Sequence, residues 1–97
     1  MPISAISYYR GGAPETVRPL AQQMKAYWQN HGIEYRLARC HTGQVGHWMV
    51  VVRYPDWTTY AKLQDSFGQD SEYQQLVAAI GQVVTFVSRE LVTEFDL

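Results

Sequence analysis

The sequence predicts an α+β fold in which one four-stranded antiparallel sheet carries its helices on a single face. Three observations predict it. The stretch from His47 to Trp57 alternates as a strand, with Trp48, Val50, Val52 and Tyr54 on one side and Met49 and Val51 on the other. Both sides are apolar, so both need cover. The chain holds helix-forming segments enough for one face and nothing for the second, which leaves that face for another copy of the same chain.

Size and composition agree with this reading. A chain of 97 residues is expected to form one domain, residues 1–97. A domain that small buries only about 60–65% of its unfolded surface, so pairing with a second copy would add useful burial. The net charge of −1 gives no electrostatic reason to expect nucleic acid or an acidic membrane as partner. Cys40 is the only cysteine, which excludes an internal disulfide and fits a reducing compartment. No segment approaches the roughly 18 apolar residues of a membrane span, and Met-Pro-Ile-Ser-Ala-Ile has no charged leader character. A cytoplasmic, soluble protein is the expectation.

Taken in order, Ile3 to Arg10 reads as the first strand, with Ile6 and Tyr8 on one side and Ala5, Ser7 and Tyr9 on the other. Gly11-Gly12-Ala13-Pro14 ends it. A helix follows to His31, with Val17, Leu20, Ala21, Met24, Tyr27 or Trp28, and His31 on its apolar stripe. Pro19 fits if the helix starts near Glu15 or Thr16, because a first-turn proline loses no needed hydrogen bond. Gly32 supplies the left-handed stop. The second strand runs from Ile33 to about Thr42, and Gly43-Gln44-Val45-Gly46 forms the hairpin loop to the third. Asp56 caps a helix from Trp57 with Tyr60, Leu63 and Phe67 inward. Gly68-Gln69 interrupts it, and Asp70 caps a further segment from Ser71 to Gly81. Thr85 to Phe95, rich in Val, Thr and Phe, is the last strand. The order β-α-β-β-α-β is the ferredoxin-like sandwich.

A loop of Gly43 to Gly46 sets a register in which Leu37 opposes Val52 and Tyr35 opposes Tyr54. Arg39 and His41 then share a face with Trp48, near where the first strand delivers Tyr8 and Tyr9. Such a group would offer an imidazole that trades a proton near neutral pH, a guanidinium for an anionic oxygen, and aromatic walls. His41 is the candidate base; Arg39, Trp48, Tyr8 and Tyr9 are the candidate substrate contacts. Arg39 and His41 could equally reach past a fraying sheet end into water. On the opposite face Arg36 stands against Arg53, a repulsive pair that Glu90 or Glu94 must relieve. His31 is explained by the helix dipole and His47 by a solvated strand edge. No histidine pair has the spacing of a helical metal site, so no metal is expected.

Tyr54-Pro55-Asp56-Trp57, then Tyr60, then Asp70-Ser71-Glu72-Tyr73 resembles the strand-to-helix passage of dimeric α/β-barrel proteins, with Ser71 where proline is common. That superfamily includes antibiotic-biosynthesis-type monooxygenases, NIPSNAP-like proteins and haem-degrading enzymes, and the resemblance in element order covers nearly the whole chain. It implies a homodimer whose sheets face each other. The haem-degrading branch places an axial histidine on the second helix and an asparagine on the first strand. Here residues 57–81 hold no histidine and Asn30 is the only asparagine, so no haem, and no other cofactor, is expected. The cofactor-free oxygenases set asparagine and tryptophan around the substrate, and Trp48 is the available indole wall. Fold does not decide activity. The residues suggest a homodimeric small-molecule-binding protein, its ligand small and aromatic or anionic. The alternative is a cofactor-independent monooxygenase acting on an aromatic or polyketide-like substrate.

Overall fold

A computed structural model describes residues 1–43 and 45–97. Its elements are β1 (Ile3–Arg10), α1 (Pro14–Asn30), β2 (Glu34–Arg39), β3 (Trp48–Tyr54), α2 (Trp57–Phe67), α3 (Ser71–Gly81) and β4 (Thr85–Thr93). The strands form one antiparallel sheet in the order β2-β3-β1-β4. This is the ferredoxin-like α+β arrangement, with the second helix divided in two at Gly68 to Asp70. The anticipated hairpin loop includes Gln44, which lies outside the described residues.

The helices lie on the face carrying Ala5, Ser7 and Tyr9 of β1 and Trp48, Val50, Val52 and Tyr54 of β3, as the strand alternation requires. Gly11 and Gly12 turn the chain from β1 into α1 with φ near +84° and +78°. At Gly12 the need is steric as well. A Cβ there would stand 2.8 Å from Val17 Cγ2 and 3.0 Å from Val84 Cγ1. Pro14 occupies the first turn of α1, and Gly32 at φ +72° closes its far end. Because α1 begins at Pro14, Pro19 falls beyond the first turn. Its missing N–H leaves the Glu15 carbonyl without an intrahelical donor, on a face where both residues are exposed to water. His31 is also exposed. Its Nδ1 lies 2.9 Å from the Tyr27 carbonyl oxygen, and its ring rests on the Tyr27 ring at 4.5 Å.

Side-chain caps start both later helices. Asp56 Oδ1 accepts from the Thr59 amide at 2.7 Å, and Asp70 Oδ1 accepts from the Tyr73 amide at 3.2 Å. The core under them is aromatic. Trp28 meets Phe67 and Tyr54 edge-on with centroids 5.5 and 5.8 Å away, and Phe67 stacks on Tyr73 at 3.9 Å. Each such ring contributes on the order of 2–3 kcal/mol by burial.

The β2–β3 register differs from the expected one by two residues: Tyr35 opposes Val52, Leu37 opposes Val50 and Arg39 opposes Trp48. A slip of two keeps every side chain on its face. It does change the charges. Arg53 now stands opposite Glu34 instead of Arg36, and it also takes the Glu94 carboxylate at 2.7 and 2.9 Å. Arg36 pairs with Glu34 at 2.8 Å. Both arginines are thus answered by acids of their own chain. No helix among the described residues is long and apolar enough to cross a membrane.

Candidate functional site

Sheet and helices do not close completely on one another. A cavity of about 430 Å³ lies between them. Its floor is Ala5, Ser7 and Tyr9 of β1 with Trp48, Val50 and Val52 of β3. Its roof is Met24 and Trp28 of α1, Tyr60, Gln64 and Phe67 of α2, and Tyr73, Val77 and Ile80 of α3. Phe86 and Arg89 of β4 complete one end. The space exists because small side chains, Ala5 and Ser7, sit at the middle of a floor roofed by large rings.

The polar groups in this apolar wall are few. Trp48 Nε1 donates to the Gly11 carbonyl at 2.9 Å, which pins the indole to the β1–α1 turn. Trp28 Nε1 is buried with no hydrogen-bond partner among the described residues. Burial pushes the Tyr35 and Tyr54 phenols well above their ordinary value. Burial also raises the Tyr73 phenol, while the Arg89 charge pulls it the other way. These hydroxyls are therefore neutral donors and poor bases at physiological pH.

Arg89 is the one charged side chain in the cavity lining among the described residues. It stands directly opposite Ser7 in the β1–β4 ladder, its Nε donates to Ser7 Oγ at 2.7 Å, and its guanidinium lies 5.4 Å from the Phe86 ring centre. A bulge brings Phe86 to that face. Tyr8 pairs with Ser88 but Tyr9 with Phe86, which leaves Val87 as the extra residue.

Of the residues singled out from sequence, Trp48 and Tyr9 line the cavity. Tyr8 lies opposite Met49 and points to the helix-free face. Arg39 is exposed and stacks its guanidinium on the Trp48 ring at 4.5 Å without reaching the cavity lining. His41 is exposed and lies off the strand. The two-residue register places Arg39 at the last ladder position, and Gly46 N bonds to the Cys40 carbonyl at 3.1 Å as the chain turns back. The structure therefore brings Trp48 and Tyr9 together and sets His41 and Tyr8 apart from them. Sequence reasoning missed Arg89, though its signal was present: placing Glu90 and Glu94 on the helix-free face puts Arg89 on the other. Among the described residues no group of three or more His, Cys, Asp or Glu side chains could hold a metal ion.

No protein-family model matches the chain, and no curated protein matches it. Solved structures do. SnoaB, a cofactor-independent oxygenase from Streptomyces nogalater, is similar over 99% of this chain and 95% of its own, with a TM-score of 0.77 and 12% identity. A NIPSNAP domain protein from Burkholderia xenovorans covers 96% of this chain and 94% of its own, with a TM-score of 0.73 and 12% identity. Rv0793 from Mycobacterium tuberculosis covers 100% and 98%, with a TM-score of 0.68 and 18% identity. Whole-chain likeness at such low identity is a statement about backbone architecture: the chain shares the fold of these solved structures.

Proposed function

We propose that the protein is a homodimer that binds a small, largely aromatic molecule in the cavity between its sheet and its helices. The observation that carries this reading is the cavity itself, about 430 Å³ of space walled by Trp, Tyr and Phe rings with a few convergent polar groups. Trp48 and Tyr9 are its ligand-contacting walls, and Arg39 braces Trp48 from outside by stacking on it.

A second reading, a cofactor-independent monooxygenase, is favoured by the similarity to SnoaB over nearly the whole chain. In such a reaction an activated methylene between aromatic rings takes one oxygen atom from O₂ and releases its two hydrogens with the other as water. The electrons come from the substrate, so the protein needs to stabilise an anion and exclude bulk water. The raised tyrosine phenols are unsuited to removing the first proton. His41, exposed past the end of β2, could do so only for a group projecting from the cavity.

Incubating the protein with anthrone- and hydroquinone-type phenols, with and without oxygen, separates the readings. Saturable binding without product supports the binding protein, and oxygen-dependent product supports the oxygenase. Loss of that product in His41→Ala would give the histidine its role, and unchanged turnover would remove it. Absence of any binding to the wild type would sink both readings.

A further inference from the structure

The single charge in the cavity wall is held by a hydroxyl that nothing else explains. Ser7 is 4% exposed, on a central strand, where an apolar side chain would serve packing better. Its oxygen accepts from Arg89 Nε at 2.7 Å. That contact uses one edge of the guanidinium and leaves the two terminal nitrogens as a fork. No carboxylate among the described residues answers them, because the ion pairs present are Arg36 with Glu34 and Arg53 with Glu94. Phe86 lies against the guanidinium and further limits its rotation.

We propose that Ser7 is a positioning residue that fixes Arg89 as an anion receptor at the end of the cavity, and that the ligand is a planar aromatic molecule bearing one negative charge. The proposal rests on reading the cavity as a binding site. The charge of the ligand follows from the count of cations in the lining, which is one. Arg89 and Phe86 stand at the exposed rim of the cavity, where a carboxylate or phenolate matches a single fork. The planar body follows from the rings of Trp48, Tyr9 and Phe67. The cation also acts inward, since the Tyr73 phenol across the cavity feels it.

The test uses two probes of one shape, naphthoate and its neutral amide naphthamide, with dissociation constants read from tryptophan fluorescence. Wild type should prefer naphthoate by roughly tenfold, the size of one charge-assisted hydrogen-bonded contact. Ser7→Ala should cut that preference severalfold, lowering naphthoate affinity more than naphthamide affinity. Ser7→Thr, which keeps the hydroxyl, should retain the preference, and Arg89→Gln should abolish it. Equal loss of both probes in Ser7→Ala, with Ser7→Thr no better, would make Ser7 merely structural and overturn the proposal. Equal binding of the two probes by wild type would overturn it too, with the cavity reading intact. Binding of neither would bring down the cavity reading and this proposal together.

Discussion

The Tyr27 hydroxyl donates to Asp70 Oδ2 at 2.6 Å while the other oxygen of the same carboxylate caps α3. One aspartate thus starts a helix and ties it to α1. The bond spans 43 residues of sequence and closes the layer above the cavity. Tyr27 is 2% exposed, and its ring also packs on Tyr73 at 5.6 Å. Tyr27→Phe keeps the ring and removes the hydroxyl, so it should lower the melting temperature by roughly 5 °C, the effect of one lost hydrogen bond in a domain of this size. It should also loosen α3 more than α1, which amide hydrogen exchange will show. Uniform exchange across both helices would count against a local tie.

Acid and alkali should unfold the protein for different reasons. Hydrogen bonds hold the Asp70 carboxyl below the usual range, chiefly from the Tyr27 hydroxyl and then the Tyr73 amide. Asp56 is held low by the Thr59 amide, and Glu94 by Arg53. A depressed carboxyl contributes stability that is complete above its unfolded value of about 4 and is lost as pH falls through the folded one. The Tyr27, Tyr35, Tyr54 and Tyr73 phenols are shifted upward, in each case chiefly by burial. Their contribution is complete below the unfolded value of about 10 and is lost as pH rises through the folded ones. The melting temperature should therefore be flat between these limits and fall outside them. On the alkaline side, part of the tyrosinate absorbance should appear only as the near-ultraviolet circular dichroism collapses. A complete tyrosinate signal from a still-native protein would contradict the burial argument.

The faces of the sheet were legible in the sequence because alternation is a parity, and parity survives a slip of two residues. Trp48, Val50, Val52 and Tyr54 therefore sit where their spacing puts them. The register was not legible, because the number of residues in the β2–β3 turn has no parity to protect it. The consequence fell on His41, which a longer β2 would have held beside Trp48 and which the actual turn carries off the sheet. Helix starts were readable from Asp56 and Asp70 because a cap is local chemistry. The bulge at Val87 was hidden, since it depends on how β4 meets β1. With it went the meeting of Phe86 and Arg89 at the cavity's end.

The helix-free face of the sheet leads to the last prediction. Its rows run across all four strands: Ala38, Met49, Tyr8 and Ser88 in one, and Arg36, Val51, Ile6 and Glu90 in the next. The middle of each row is apolar and only partly covered, while the charges of the second row stand at its two ends. A two-fold axis running along the strands would lay β2 of one protomer over β4 of the other at the same height. Arg36 would then meet the partner's Glu90, and Val51 would meet the partner's Ile6 in the dry centre. Val51→Asp places a carboxylate in that centre, and an unpaired buried charge is far costlier than an exposed one. Light scattering should therefore report two chains for wild type and one for Val51→Asp, with the fold retained by circular dichroism. Glu90→Arg should weaken association less, because a pair at the rim is partly solvated. A wild-type mass of one chain at micromolar concentration would end the dimer argument, and an undiminished dimer in Val51→Asp would move the interface to another face.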